Sequence, residues 1–309
     1  LATLRPMTHT QLSSAVPFKV AEFAPDGRGG KLQSNGRRGN GPRVGDGDER
    51  GQLLQGVCRH AGGLGHGGTL ATAPAPRLAS MRIDLHAHTT CSDGTQSPTE
   101  LVAAARAAAL DVVAITDHDT LTGWAEAGAA AIEHGIALVP GVEISCERGG
   151  RSVHLLGYLV DPAYDPLAAE LAKARDSRVT RLERMVALLA ADGIPLTYAA
   201  VLAQVPPGAT PGRPHIADAL VAAGVVGSRD EAFERWLHDD SPYYVHHYAP
   251  DPLRAVELVR AAGGVAVLAH PFATTRGAVI LADEVISHLA DAGLGGIEAD
   301  HPDHDEAAR

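Results

Sequence analysis

The chain has 309 residues, with 26 Lys and Arg against 37 Asp and Glu, a formal net charge of −11, and 45% hydrophobic but only 4% aromatic residues. This length suffices for one large core or two modest ones. No run of eighteen apolar residues and no basic-then-apolar leader occurs, so neither a membrane span nor export is supported, and a cytoplasmic protein is the expectation. The acidic balance argues against a broad electrostatic grip on nucleic acid, and Cys58, Cys91 and Cys146 form neither a paired framework nor a CxxC metal knuckle.

Residues 1–80 carry a net +5, 15 of the 34 glycines and, of the aromatics, only Phe18 and Phe23. Such a segment cannot bury enough apolar surface to offset its backbone entropy, so it is expected to be disordered. A non-native upstream extension, with the natural start at Met81, is the preferred reading over a basic arm for nucleic acid. Residues 81–309 then carry −16 and form the folded domain.

From Met81 short apolar strands alternate with helices. MRIDLHAH reads as a strand, and SPTELVAAARAAAL as a helix opened by a capping box, with Ser97 as cap, Pro98 in the first turn and Glu100 at the third helical position. DVVAITDHD is the next strand, LTGWAEAGAAAIEHG a helix closed by Gly135, and IALVPGVEIS a third strand, which implies parallel pairing. RSVHLLGYLV follows after a Glu-Arg-Gly-Gly turn, as in a hairpin. The strand signal then vanishes between Asp165 and Tyr248. Leu167, Leu171, Arg175, Arg178, Leu182, Met185 and Leu189 recur at three and four residues, which predicts an amphipathic helix over Asp165 to Asp192. Shorter helices are predicted over Pro214 to Ala223, Arg229 to His238 and Pro252 to Ala262, so residues 165–248 read as a helical insertion. GGVAVLAHP, a helix through Leu281 to Ala292, and GLGGIEA resume the strand–helix rhythm.

The polar residues sit at the strand ends: Asp84, His86 and His88 on the first, Asp117, His118 and Asp119 on the second, Glu143 on the third, His154 within the fourth, and His270 after VAVLA. In parallel α/β folds the carboxyl ends of the strands build the active site. Imidazole with carboxylate and no thiolate suits borderline divalent ions such as Zn²⁺, Mn²⁺ and Fe²⁺. His86 and His88, two apart on one strand, face the same side. A bridging carboxylate such as Glu143 allows two ions about 3.5 to 4 Å apart, the arrangement of polynuclear metal hydrolases. Any one strand histidine by itself is more often a hydrogen-bonded core residue, but an apolar core does not satisfy all of these groups together. His134, His238, His246, His247 and His288 are expected at the surface or in local hydrogen bonds, and Cys91 and Cys146 in structural roles.

MRIDLHAHTTCSDGTQSPTEL, VVAITDHDTLTG, LVPGVEIS, VHLLGY and VAVLAHP, in this order and spacing, resemble the polymerase-and-histidinol-phosphatase (PHP) family of metal-dependent phosphoesterases over residues 81–309. The insertion, with its Arg178-x-x-Arg181 pair and its Gly212-Arg213-x-His215 segment, is similar to the branch that includes 3′,5′-nucleoside bisphosphate phosphatases and 5′-to-3′ exoribonucleases. The resemblance implies an α/β fold, a distorted (β/α)7 PHP barrel with a helical insertion. It implies two or three divalent ions per complete site, Mn²⁺ ahead of Zn²⁺, Fe²⁺ or Mg²⁺. His86, His88 and Glu143 would hold the first ion, Glu143, His154 and His270 the second, and Asp93 with His118 the third. Arg178, Arg213 and His215 would grip a substrate phosphate, with His215 also a candidate proton donor to the leaving oxygen, and Arg181 is the weaker candidate because the helix period turns it toward solvent.

The expected reaction is hydrolysis of a phosphomonoester, on a nucleoside 3′,5′-bisphosphate or a short RNA, by a metal-activated hydroxide. The family's last motif, an Asp-x-His triplet, is not found in the terminal DHPDHDEAAR, so the chain reads as truncated at its C-terminus. Two alternatives stay open: a histidinol-phosphatase activity, and an inactive metal-binding fragment. An amidohydrolase with a metal-bridging lysine is disfavoured, since no Lys follows Lys173.

Overall fold

The computed structural model describes residues 20–22, 81–273, 281–302, 304 and 306. The reading of residues 1–80 as disordered and non-native lies outside the described residues except at Val20–Glu22, which form strand β1. Strands β2 (Ile83–Asp84), β3 (Val112–Ile115), β4 (Ala137–Arg148), β5 (Arg151–Tyr158), β6 (Val265–Leu268) and β7 (Gly296–Glu298) complete a seven-stranded sheet in the order β1-β7-β6-β5-β4-β3-β2. β2, β3 and β4 pair in parallel, β4 and β5 form an antiparallel hairpin, β5 and β6 are antiparallel, and β6 and β7 parallel. Although β7 and β2 are five places apart in this order, His86 Nδ1, just after β2, lies 3.1 Å from Glu298 Oε1 in β7. The sheet therefore curls until its two flanks face one another across a concave inner side.

Helix α1 (Pro98–Ala107) begins with the expected capping box: Glu100 N–H donates to Ser97 Oγ at 3.2 Å and Ser97 N–H to Glu100 Oε2 at 2.8 Å. Helix α2 (Trp124–His134) stops at Gly135, whose φ of 64° is the left-handed conformation that favours glycine. Both pack on β3 through Leu101, Val102, Val113, Ile115, Ala127 and Ala130. The 27-residue α3 (Asp165–Ala191) belongs to two cores. Its first half sets Leu167 and Leu171 against the outer face of β4 and β5 and against α7 (Pro252–Ala261) and α8 (Asp283–Asp291). Its second half sets Leu182, Met185, Val186 and Leu189 against α5 (Arg213–Ala222) and the turns around it. Each fully buried leucine here stabilises the fold by ~1.5–3 kcal/mol. Arg178 and Arg181 stand where the two cores meet, so α3 fixes the insertion's cations relative to the sheet.

Three local features depart from the sequence reading. The first strand is only two residues long, because the His86 N–H turns to Asp84 Oδ1 at 3.1 Å instead of a ladder carbonyl. A short helix, α4 (Tyr198–Leu202), is capped by Thr197. The helix expected over Arg229 to His238 is α6 (Arg229–Ala232) running into a π turn, Phe233–Leu237, and the Leu237 carbonyl of that turn accepts from Arg213 Nη1 at 2.7 Å. No helix of the described residues is long and apolar enough to cross a membrane.

Candidate functional site

Strand alternation decides what faces the concave side. In the β4–β5 register Ser145 is opposite His154 and Glu143 opposite Leu156, so Glu143, Ser145 and His154 share one face. The intervening Val142, Ile144 and Cys146 enter the apolar core on the other. His118, past the end of β3, bridges to Glu143. Gly94 lets the loop after β2 fold back, since a Cβ there would lie 2.3 Å from the His88 carbonyl oxygen. That turn brings Asp93 beside His88.

The structure brings together all seven residues expected as ligands. Glu143, 1% exposed, is the centre. Its Oε1 lies 2.7 Å from His154 Nδ1 and 3.0 Å from His270 Nε2, and its Oε2 lies 2.9 Å from His88 Nε2 and 3.3 Å from both His86 Nε2 and His118 Nδ1. His86 Nε2 and His88 Nε2 are 3.2 Å apart. Asp93 reaches His88 Nδ1 at 3.3 Å and His118 Nε2 at 3.6 Å. Sets of three ligand atoms lie within 4.8 Å of one another at His86, Glu143 and His270, at His88, Asp93 and His118, at His118, Glu143 and His154, and at His86, Glu298 and His301.

Five imidazoles around one carboxylate are hard to satisfy with protons alone. Burial would raise the Glu143 pKa, but the charges of His118, His154 and His86 hold it well below the usual carboxylate range. Burial lowers the His86 and His88 pKa values, yet the carboxylates of Glu298, Glu143 and Asp93 bring both above 6.5. Burial drives His118 and His154 down in spite of the same acids. His118 Nδ1 is buried without a hydrogen bond even though Glu143 Oε2 is 3.3 Å away. A buried imidazole nitrogen left unpaired is costly, and a cation beside it removes the cost. The donor set, all nitrogen and oxygen, fits divalent ions.

Glu298 and His301 were not among the expected residues. Glu298 ends β7, and the strand-end rule that picked out Glu143 would also have found it. It accepts from the His270 N–H at 2.8 Å and meets the His86 ring at 3.1 Å. Burial works against its charge, and His86 and His270 outweigh it, leaving the pKa at about 2. The His301 ring centroid stands 4.9 Å from that of His270. His270 has a φ of 27°, a strained value of the kind that collects at functional sites.

The insertion supplies the opposite wall. Asp93, His118, Ser152, His154, Arg178, Arg181, Arg213, Phe233 and His247 line one cleft. Arg178 Nε donates to Asp119 Oδ2 at 2.9 Å, and its Nη2 donates to Ser145 Oγ. Arg213 pairs with Asp239. His215 is buried, its Nδ1 accepting from the Gly212 N–H at 3.1 Å, and it is not among the cleft-lining residues. Two expectations need correction. Arg181 does not turn to solvent: it is 5% exposed, because α3 is covered on that side by the insertion's own core. His247 is no surface histidine, since its Nε2 is buried and lacks a hydrogen-bond partner.

The PHP domain model matches residues 84–195. The chain is 37% identical over 222 residues to a 3′,5′-nucleoside bisphosphate phosphatase of Chromobacterium violaceum, covering 72% of this chain and 78% of that protein. It is 40% identical over 192 residues to a 5′-3′ exoribonuclease of Haemophilus influenzae, covering 62% and 69%. Among solved structures, a protein of Bifidobacterium adolescentis assigned as a metal-dependent phosphoesterase superposes with a TM-score of 0.70 at 41% identity, over 73% of this chain and 79% of that one. An amidohydrolase of C. violaceum, solved with bound sulfate and no metal, superposes with a TM-score of 0.68 at 36% identity, over the same two shares.

Proposed function

The chain belongs to the PHP-domain family of metal-dependent phosphoesterases, and from that premise we propose that it removes a phosphate from a nucleotide, a nucleoside 3′,5′-bisphosphate or the end of a short RNA. The observation that carries the reading is the facing of two unlike walls in one cleft: a carboxylate and imidazole cluster on the sheet, and guanidinium groups on the insertion. The first suits cations, the second suits phosphate oxygens.

His86, His88 and Glu143 would hold one ion, Glu143, His154 and His270 a second, and Asp93 with His118 a third, with Mn²⁺ the preferred metal ahead of Zn²⁺, Fe²⁺ or Mg²⁺. When bound, such ions lower the pKa of a water at the site and offset the charge that builds on the phosphoryl oxygens. In the overall reaction water adds to phosphorus and the bond to the ribose oxygen breaks, leaving inorganic phosphate and an alcohol.

The chain's own groups position the substrate. Arg178 is locked by Asp119 and Ser145, so it offers a phosphoryl oxygen a guanidinium with little left to order. Arg213 is tethered in the same manner by Asp239 and the Leu237 carbonyl. Accepting from Gly212 leaves the His215 proton on Nε2, and burial lowers its pKa. Buried outside the cleft lining, His215 therefore orients the Gly212 turn that carries Arg213 and is not the acid, and the leaving oxygen takes its proton from water.

The test is release of inorganic phosphate from adenosine 3′,5′-bisphosphate and from a short 5′-phosphorylated RNA by the Mn²⁺-loaded protein. Turnover of either supports the reading, and turnover of neither contradicts it.

A further inference from the structure

The proposed ligands are not all held in the same way. Glu143 and His154 stand in the β4–β5 ladder, and His118 is tied to that ladder through the next residue, since the Asp119 N–H donates to the Glu143 carbonyl at 2.9 Å. Asp93 lies in the turn after β2, where no strand ladder reaches it. The base of this turn is fixed by Asp117, which accepts from the Thr89 N–H and hydroxyl, both at 2.7 Å, and from Ser92 Oγ at 2.6 Å. Its tip is fixed from the helical insertion. The Thr210 N–H donates to the Cys91 carbonyl at 2.9 Å, and Arg229 Nη1 donates to the carbonyl of Asp93 itself at 3.0 Å, across 136 residues of sequence.

The surroundings of Arg229 prepare it for that contact. Its Nε and Nη2 are both spent on Asp218, at 2.6 Å to each carboxylate oxygen, and this two-pronged pairing leaves Nη1 for Asp93. The two side chains are 30% and 27% exposed, so the ion pair alone contributes little to stability and its main consequence is geometric. Asp218 stands on α5 and Arg229 opens α6, so the fork is braced between two helices, and α5 also carries Arg213 into the cleft. We propose that Arg229, braced by Asp218, is a positioning residue that holds the Asp93 carboxylate beside His88 and His118, which makes the insertion part of the metal centre as well as a wall of the cleft. The inference rests on the reading of Asp93 and His118 as ligands of one ion and goes beyond it, because Arg229 acts through Asp93 and not on the ion. Asp93 is 3.3 Å from His88 Nδ1 and 3.6 Å from His118 Nε2, so a shift of its main chain by a fraction of those distances separates the set.

The test is a double-substitution cycle on the full, chelator-treated chain, with Mn²⁺ binding followed by calorimetry. Asp93→Asn identifies the binding step that depends on the carboxylate. Arg229→Met is expected to weaken that same step about 10- to 100-fold, as loss of a group that orients a ligand does, and to leave the other steps unchanged. In the Asp93→Asn background Arg229→Met has no further effect on Mn²⁺, a failure of additivity that general destabilisation does not produce. Asp218→Asn, which loosens the fork at nearly constant volume, moves the same step in the same direction and serves where Arg229→Met does not fold by circular dichroism. A second readout needs no metal. The Ser92 and Gly94 amides, which both donate to the Thr89 carbonyl, exchange with deuterium faster in Arg229→Met, while the Glu143 amide keeps its wild-type rate. Wild-type Mn²⁺ affinity in Arg229→Met overturns the proposal, and so does an equal loss with and without the Asp93 carboxylate. Wild type that binds no Mn²⁺ contradicts the metal reading; amide exchange then decides the hold of Arg229 on the turn, and unchanged rates at Ser92 and Gly94 overturn it.

Discussion

Glu298, at the end of β7, reaches across the open side of the curled sheet to the His86 ring, 3.1 Å from Nδ1, and with its other oxygen accepts from the backbone N–H of His270 at 2.8 Å. One buried carboxylate thereby orients two groups proposed to bind metal. With a proton on Nδ1 donated to Glu298, His86 leaves Nε2 toward Glu143 as the free donor atom, the relay by which carboxylates raise ligand basicity. Replacing Glu298 by Ala is expected to weaken Mn²⁺ binding about 10- to 100-fold, and Glu298→Gln less, because the amide oxygen still accepts. Calorimetric affinities of the two variants check this, and equal affinity in all three proteins sinks it.

The pH dependence follows from the sign of the histidine shifts. His86 and His88 have pKa values raised above 6.5 by Glu298, Glu143 and Asp93 in spite of burial. Their contribution to the stability of the metal-free protein is thus full below pH 6.5 and is lost as pH rises through the raised values. Metal must displace the same protons, so affinity rises with pH over that interval. Titration of Mn²⁺ at pH 7 in buffers of different ionisation enthalpy should report net proton release. Heats that do not vary with buffer contradict the assignment of these two rings.

Asp119 holds a non-glycine φ of 54° and binds Ser145 through its N–H and its hydroxyl, as well as Arg178. Asp119→Ala leaves the Arg178 guanidinium buried without its counter-ion, which should destabilise the chain by ~3–5 kcal/mol. Urea unfolding measures the loss. Arg178→Met leaves the Asp119 carboxylate buried but still accepting from the Ser145 N–H and hydroxyl, and should cost less stability than Asp119→Ala while abolishing most phosphatase activity. The reverse order of stabilities contradicts the pairing.

Much of this was legible in the residues because it depended on local rules. The Ser97 capping box, the Gly135 stop, the β4–β5 hairpin and the period of α3 each follow from a few neighbouring side chains. Six of the seven expected ligands were visible since the strands concentrate them, and Asp93, in the loop after β2, came only from the family resemblance. Glu298 stands at a strand end as Glu143 does, but its pairing with His86, 212 residues away, is set only by the curl of the sheet. Arg181 was expected toward solvent, and His247 at the surface or in local hydrogen bonds, for a similar reason. Helix period told that α3 has two faces, but nothing local told that α5 and the π turn would cover the second one. The short β2 reflects competition between one Asp84 side chain and the ladder, which strand propensity does not weigh.

The central claim is that Glu143 joins the imidazoles into a centre for more than one ion, and metal content measures it most directly. Inductively coupled plasma mass spectrometry of the Mn²⁺-loaded, desalted chain should find two or three ions per chain in wild type and at most one in Glu143→Gln, with phosphate release lost in the variant. Wild type that retains no metal yet releases phosphate, or a Glu143→Gln protein with the same metal content as wild type, would contradict it.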